Sequence, residues 1–260
     1  MKSMFNWGAK LGIVGSAIVG SAIVGTLSAI ALPQDQIVQK LGPVPVFTIT
    51  DAKGAPLVAS NNDNKKEGGV AGVFINQRDA VEFVNQLKTK NPQLAKSVRV
   101  VPVSLGEVYK LDQASGNKPN ALDFAYVPAK QQVDSAMALL KQAGQDEKQF
   151  QGTPLFVAKA GKEKGYLTIK QADQQVIPFF FNKEELQTML ERFKKQQPDL
   201  ASTVEIQVVN LEGIIETMQS RNDTQLNQIM LVPPKESVEF VRKLQPAAGK
   251  PTRPAQQRKK

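Results

Sequence analysis

One stretch of this chain is written twice. VFINQRDAVEFVNQLKTKNPQLAKSVRVVPVSLGEVY at 73–109 returns as FFFNKEELQTMLERFKKQQPDLASTVEIQVVNLEGII at 179–215. The copies align without a gap. Phe74 falls on Phe180, Asn76 on Asn182, Lys88 on Lys194 and Pro92 on Pro198, and Leu94-Ala95 falls on Leu200-Ala201. A match of this length reads as a duplicated structural unit, so whatever one copy folds into, the other should repeat.

The residues between these landmarks extend the repeat. The alternating, β-branched run at 44–50 is a strand, followed by the turn 51–54 and a returning strand at 55–60. The polar stretch 61–69 is a loop, and 70–75 is the third strand. Asn76 caps a helix, with Asp79 in its first turn and Ala80, Val81, Phe83, Val84 and Leu87 along one face. A helical turn at 93–97, a strand at 98–103, a short helix after Leu105, a polar loop at 112–120, a strand at 122–127 and a helix at 129–143 complete the unit. The second half follows suit, from a strand opening at Thr153-Pro154-Leu155-Phe156, through Asn182 as a second cap, to a strand at 226–232 and a last helix at 235–244. The expectation is an α+β fold of two duplicated β-β-β-α-β-α-β-α halves related by a pseudo-twofold axis. Each half is a mixed or antiparallel sheet with helices on one face. The halves cover 32–147, with a short leading helix, and 148–244.

The ends differ from the body. The formal net charge is +9. Lys2 and Lys10 lie in 1–31, and Lys250, Arg253, Arg258, Lys259 and Lys260 lie in 245–260, which leaves +2 for the body. The basic character thus belongs to the termini, and no nucleic-acid partner is expected. Residues 1–31 have the layout of a signal peptide: charged start, apolar run, and Ala29-Ile30-Ala31 as a small-x-small cleavage site. The alternative is an uncleaved anchor, since the apolar run nearly reaches bilayer length. Residues 245–260 lack apolar periodicity and read as a disordered basic tail, either solvated or in peripheral contact with a membrane.

The chain holds no Cys and no His. Disulfides, thiol nucleophiles, imidazole bases and the usual zinc or haem ligands are therefore excluded. No Gly-rich phosphate loop sits between strand and helix. The loop 61–64 (NNDN) lacks the full calcium-loop pattern. The expectation is no enzyme, no cofactor and no metal. The apolar residues say more. Phe179-Phe180-Phe181 puts aromatics on both faces of one strand, as Val73-Phe74-Ile75 does with apolar residues in the first half. Either the second face is a core where the halves dock, or it is a groove for segments of another polypeptide. The candidate binding residues are Phe47, Phe74, Phe156, Phe179, Phe180 and Phe181.

Taken in order, a targeting segment, VPVFTITDAKGAPLVAS, GVFINQRDAVEFVNQLK, NPQLAKSVRVVPVSLGEVYKL and GTPLFVA resemble the twenty-two-kilodalton Tic family of the chloroplast inner-envelope translocon, specifically its cyanobacterial members. The resemblance spans about 35–244. It implies an α+β protein located between two membranes: in the periplasm or thylakoid lumen of a cyanobacterium, or the intermembrane space of a plastid. It also implies a chaperone-like role in which unfolded or precursor polypeptides are escorted to an outer-membrane Omp85-type pore. The alternative role is a structural or scaffolding envelope protein with one fixed protein partner.

Overall fold

The computed structural model describes residues 11–13, 31–60, 69–116, 118, 121–145, 148–221 and 223–244. Along the chain these form β1 (Leu11–Ile13), α1 (Gln34–Leu41), β2 (Pro45–Asp51), β3 (Val58–Ser60), β4 (Gly69–Phe74), α2 (Gln77–Lys90), α3 (Pro92–Ser97), β5 (Val98–Ser104), α4 (Leu105–Ser115), β6 (Asp123–Val127) and α5 (Lys130–Gln142). There follow β7 (Pro154–Ala160), β8 (Gly165–Gln171), β9 (Gln174–Phe180), α6 (Lys183–Gln196), α7 (Pro198–Ala201), β10 (Glu205–Asn210), α8 (Leu211–Ser220), a 3₁₀ turn (Thr224–Gln228), β11 (Ile229–Val232) and α9 (Lys235–Leu244). The fold is α+β.

Two mixed sheets form, with one strand order. In the first, β5 pairs antiparallel with β2, β2 with β4, and β4 runs parallel to β6. In the second, β10 pairs antiparallel with β7, β7 with β9, and β9 runs parallel to β11. Phe47 faces Phe74 across the first sheet as Phe156 faces Phe180 across the second. β8 bridges from β7 to β9 and carries β1 on its other edge.

Three sequence-based expectations shift. The returning strand at 55–60 touches β2 only at the Thr50↔Pro56 bridge, and its last residues, β3, pair instead with β4. The supposed loop at 112–120 begins with the final turn of α4, which runs to Ser115. The strand expected from Leu226 starts at Ile229, because Asp223 accepts the Gln225 N–H and winds the preceding residues into the 3₁₀ turn.

Alternation along the strands decides the layers. Val46, Val73, Leu155, Val157, Ile177, Phe179 and Phe181 point between the sheets, where α1, α4 and α8 supply Ile37, Leu41, Leu105, Val108, Leu211 and Met218. Phe47 and Phe74 point outward in the first half, Phe156 and Phe180 outward in the second. Helices therefore cover both faces rather than one, since every central strand is apolar on both sides.

The outer helices are exchanged. α5, from the first half, packs on the second sheet: Ala136 and Leu139 join Phe156 and Phe180. Gln132 on α5 accepts the Lys183 N–H at 3.0 Å and donates to Glu184 at 2.8 Å. In return α9, from the second half, packs on the first sheet. The Phe240 ring meets Phe47 edge-on at 5.7 Å, and Ser237 Oγ donates to the Ile75 carbonyl at 3.4 Å. No helix among the described residues is long and apolar enough to cross a membrane. The expected cleavage site lies at the border of the described region: residues 14–30 are outside it, while Leu32 is buried and donates its N–H to the Met218 carbonyl at 3.0 Å.

Candidate functional site

The six phenylalanines singled out from sequence are all buried. Phe47 and Phe156 are 0% exposed, Phe180 and Phe181 1%, Phe179 3% and Phe74 5%. Phe179 and Phe181 sit in the core between the sheets, and the other four under the outer helices. In the folded chain they line no open surface, because both faces of their strands are covered.

The two outer layers are nevertheless unequal. In the second half α6 buries Leu186, Met189, Leu190 and Phe193, and α5 closes over β7 and β10 beside it. In the first half α2 buries only Ala80, where α6 has Leu186. Phe83, at the position of Met189, is 43% exposed against 4%, and Val81 is 37% exposed. α9 leans on β2, and between it and the end of β5 a groove of about 430 Å³ stays open. Gly42, Pro43, Pro45, Pro102, Val103, Ser104, Val238, Val241 and Arg242 line it. Its walls are rigid: three prolines fix the backbone, and Ser104 Oγ donates to the Gly42 carbonyl at 3.0 Å while accepting the Gly106 N–H at 3.1 Å. Phe47 and Phe74 lie one layer below this side, against Phe240 and Phe83 respectively.

Among the described residues, Arg242 is the groove's only charged lining residue. With no acid or base facing another, the groove offers apolar contact and one cation, and no proton transfer. The titratable groups gather elsewhere, where the N-termini of α2, α5, α6 and α9 surround a polar space of about 440 Å³. There Asn76 caps α2 by accepting the Asp79 N–H at 2.9 Å. Asn182 does not cap α6 in that way: it donates to Glu185 Oε1 at 3.1 Å, and Gln132 of α5 serves the helix end instead. Glu185 also accepts the Lys235 N–H at 2.9 Å, tying α9 to α6. Burial pushes the Asp79 and Glu185 carboxyls up. Burial also pushes Glu184 up, but hydrogen bonds led by Gln132 outweigh it and leave this carboxyl below its ordinary value. These groups bind helices to one another. Among the described residues no group of three or more Asp or Glu could hold a metal, and the loop at 61–64 lies outside them.

Sequence reasoning missed the groove. A last helix at 235–244 was legible, but that α9 stands over the first sheet was not, and Pro102 with Val103 read as ordinary strand residues.

Fold and site together define a class: a two-sheet α+β protein with exchanged outer helices and an open apolar groove. Solved structures share the fold. Tic22 of Anabaena, a protein-transport protein, is 36% identical; the match covers 82% of this chain and 98% of that one, with a TM-score of 0.72. Tic22 from Plasmodium falciparum, 22% identical with a TM-score of 0.64 over 80% of this chain and 96% of its own, shares the fold. A chloroplastic TIC 22-like protein of Arabidopsis thaliana is 28% identical over 78% of this chain, which spans 62% of that relative's length. Chloroplastic TIC 22 of Pisum sativum is 22% identical over 85% of this chain and 82% of its own. The chain belongs to the Tic22-like family, whose model matches residues 3–243.

Proposed function

We propose that this chain is an exported, non-enzymatic polypeptide-binding protein that escorts unfolded or precursor segments toward an Omp85-type pore, in protein import or outer-membrane protein biogenesis. The compartment is the periplasm or thylakoid lumen of a cyanobacterium, reached by a leader cleaved after Ala31. Leu32, already packed against Met218, suits a body that begins there. One observation carries the reading: the first-half layer exposes Phe83, Val81 and an apolar groove where the second half has closed its own. A half-covered apolar layer holds client side chains by contact area, which is non-directional and so tolerant of client sequence. Phe47 and Phe74 act from beneath, holding Phe240 and Phe83 in place. The matching strand orders and reciprocal helices support descent from one duplicated unit and a pseudo-twofold relation of the halves.

The test is suppression of aggregation of several unrelated unfolded clients by Phe83→Glu and Val241→Glu variants. Both positions border open space, so the circular-dichroism melt should persist while suppression falls severalfold. Full suppression by both variants would remove the groove from the mechanism. Binding to a single partner with no general suppression would favour a scaffold instead.

A further inference from the structure

We propose that the outer edge of β8 is a second client site, one that accepts an extended aliphatic segment as an added antiparallel strand. The inference rests on the polypeptide-binding reading above. β8 gives one side to β7 through Lys159↔Tyr166 and Ala160↔Gly165, and to β9 through Ile169↔Val176, Lys170↔Gln175 and Gln171↔Gln174. Its middle is paired on the other side, where β1 sits in register as Leu11↔Ile169, Gly12↔Thr168 and Ile13↔Leu167. A strand from the chain's own N-terminal segment is thus already seated on this edge, by main-chain pairing that is indifferent to most side chains.

The edge has the chemistry such a guest needs. Leu167 and Ile169 share one face and belong to the core under α6, so aliphatic residues opposite them would extend that core. Lys164 and Lys170 flank the edge, but its centre, Leu167-Thr168-Ile169, carries no charge. Without β1, an apolar edge of this kind would invite strand addition. The corresponding strand in the first sheet, β3, is three residues long against seven for β8 and presents much less backbone. In the chain with its N-terminal segment, Leu11–Ile13 therefore occupies the place that a client strand takes once that segment has been removed.

Because the chain has no cysteine, a Gly12→Cys/Thr168→Cys pair provides a clean crosslink. It should close under oxidation and lock the edge, lowering client suppression severalfold until reduced. In parallel, a Leu11→Pro/Ile13→Pro chain should exchange its 167–169 amides roughly tenfold faster, as loss of a ladder hydrogen bond allows. A synthetic peptide of residues 8–17 (GAKLGIVGSA) should restore the protection. Unchanged exchange in the proline variant, or no protection by the peptide, overturns the site. Suppression untouched by the closed crosslink overturns its use by clients while leaving the groove reading intact. Peptide protection without suppression of any client would support the edge site and sink the wider client reading instead.

Discussion

Phe83 and Met189 hold matching places on α2 and α6, yet one is 43% exposed and the other 4%. The difference should separate stability from binding. Phe180→Ala, at a site 1% exposed, should cost about 3–5 kcal/mol in denaturant unfolding, whereas Phe83→Ala should cost under about 1 kcal/mol. A strained position gives the opposite sign. Ala172 turns the β8–β9 hairpin at φ 52°, a left-handed conformation that disfavours a Cβ, so Ala172→Gly should raise stability by about 1 kcal/mol. Glu184 supplies a pH signature. Its carboxyl is held below the ordinary 4.5 in the fold, so it adds stability above its unfolded value and loses that stability as pH falls through the folded one. Glu184→Gln should therefore lower the denaturation midpoint at neutral pH, with the deficit closing between pH 4.5 and more acid conditions.

At the scale of elements, close packing between α1 and α4 depends on Gly106. A Cβ there would stand 2.7 Å from the Val38 carbonyl oxygen and 3.1 Å from Gly42 Cα, both backbone. Gly106→Ala should cost about 1–3 kcal/mol and, by pushing α1 outward, disturb the groove wall at Gly42, which a thermal melt and the suppression assay would register together. Most elements were legible in the sequence, since β-branched alternation marks strands such as β5 and the 3.6-residue period marks α2 and α6. Boundaries failed where side-chain hydrogen bonds rather than periodicity choose the backbone, as at Asp223, which winds the 3₁₀ turn ahead of β11. The six phenylalanines were legible as apolar residues on or beside strands, offered as candidate binding residues, and all six are buried. Whether a second apolar face is covered depends on helices distant in sequence, and no local pattern states where α9 will land. For the same reason nothing local marked Phe83, read on the apolar face of its helix, as a position that stays half open.

The whole molecule is bound together by its exchanged helices. Residues 32–147 contain the first sheet but not α9, and residues 148–244 contain the second sheet except β1, but not α5. Each piece alone lacks one of the two helices that cover its outer phenylalanines. Expressed separately, each should be unfolded or aggregated by circular dichroism and gel filtration. Mixed together they should form a 1:1 complex, and the intact chain should unfold in one transition seen alike by near- and far-ultraviolet signals. Two independently folding halves would contradict this. The exchange also sets an order in time. A chain made from its N-terminus delivers α9 almost last, and until it arrives Phe47 lacks the Phe240 ring and α2 alone covers the outer face of the first sheet. Completion of the first half thus waits on nearly the whole length of the second, so the layer over Phe47 is the last part of the molecule to close.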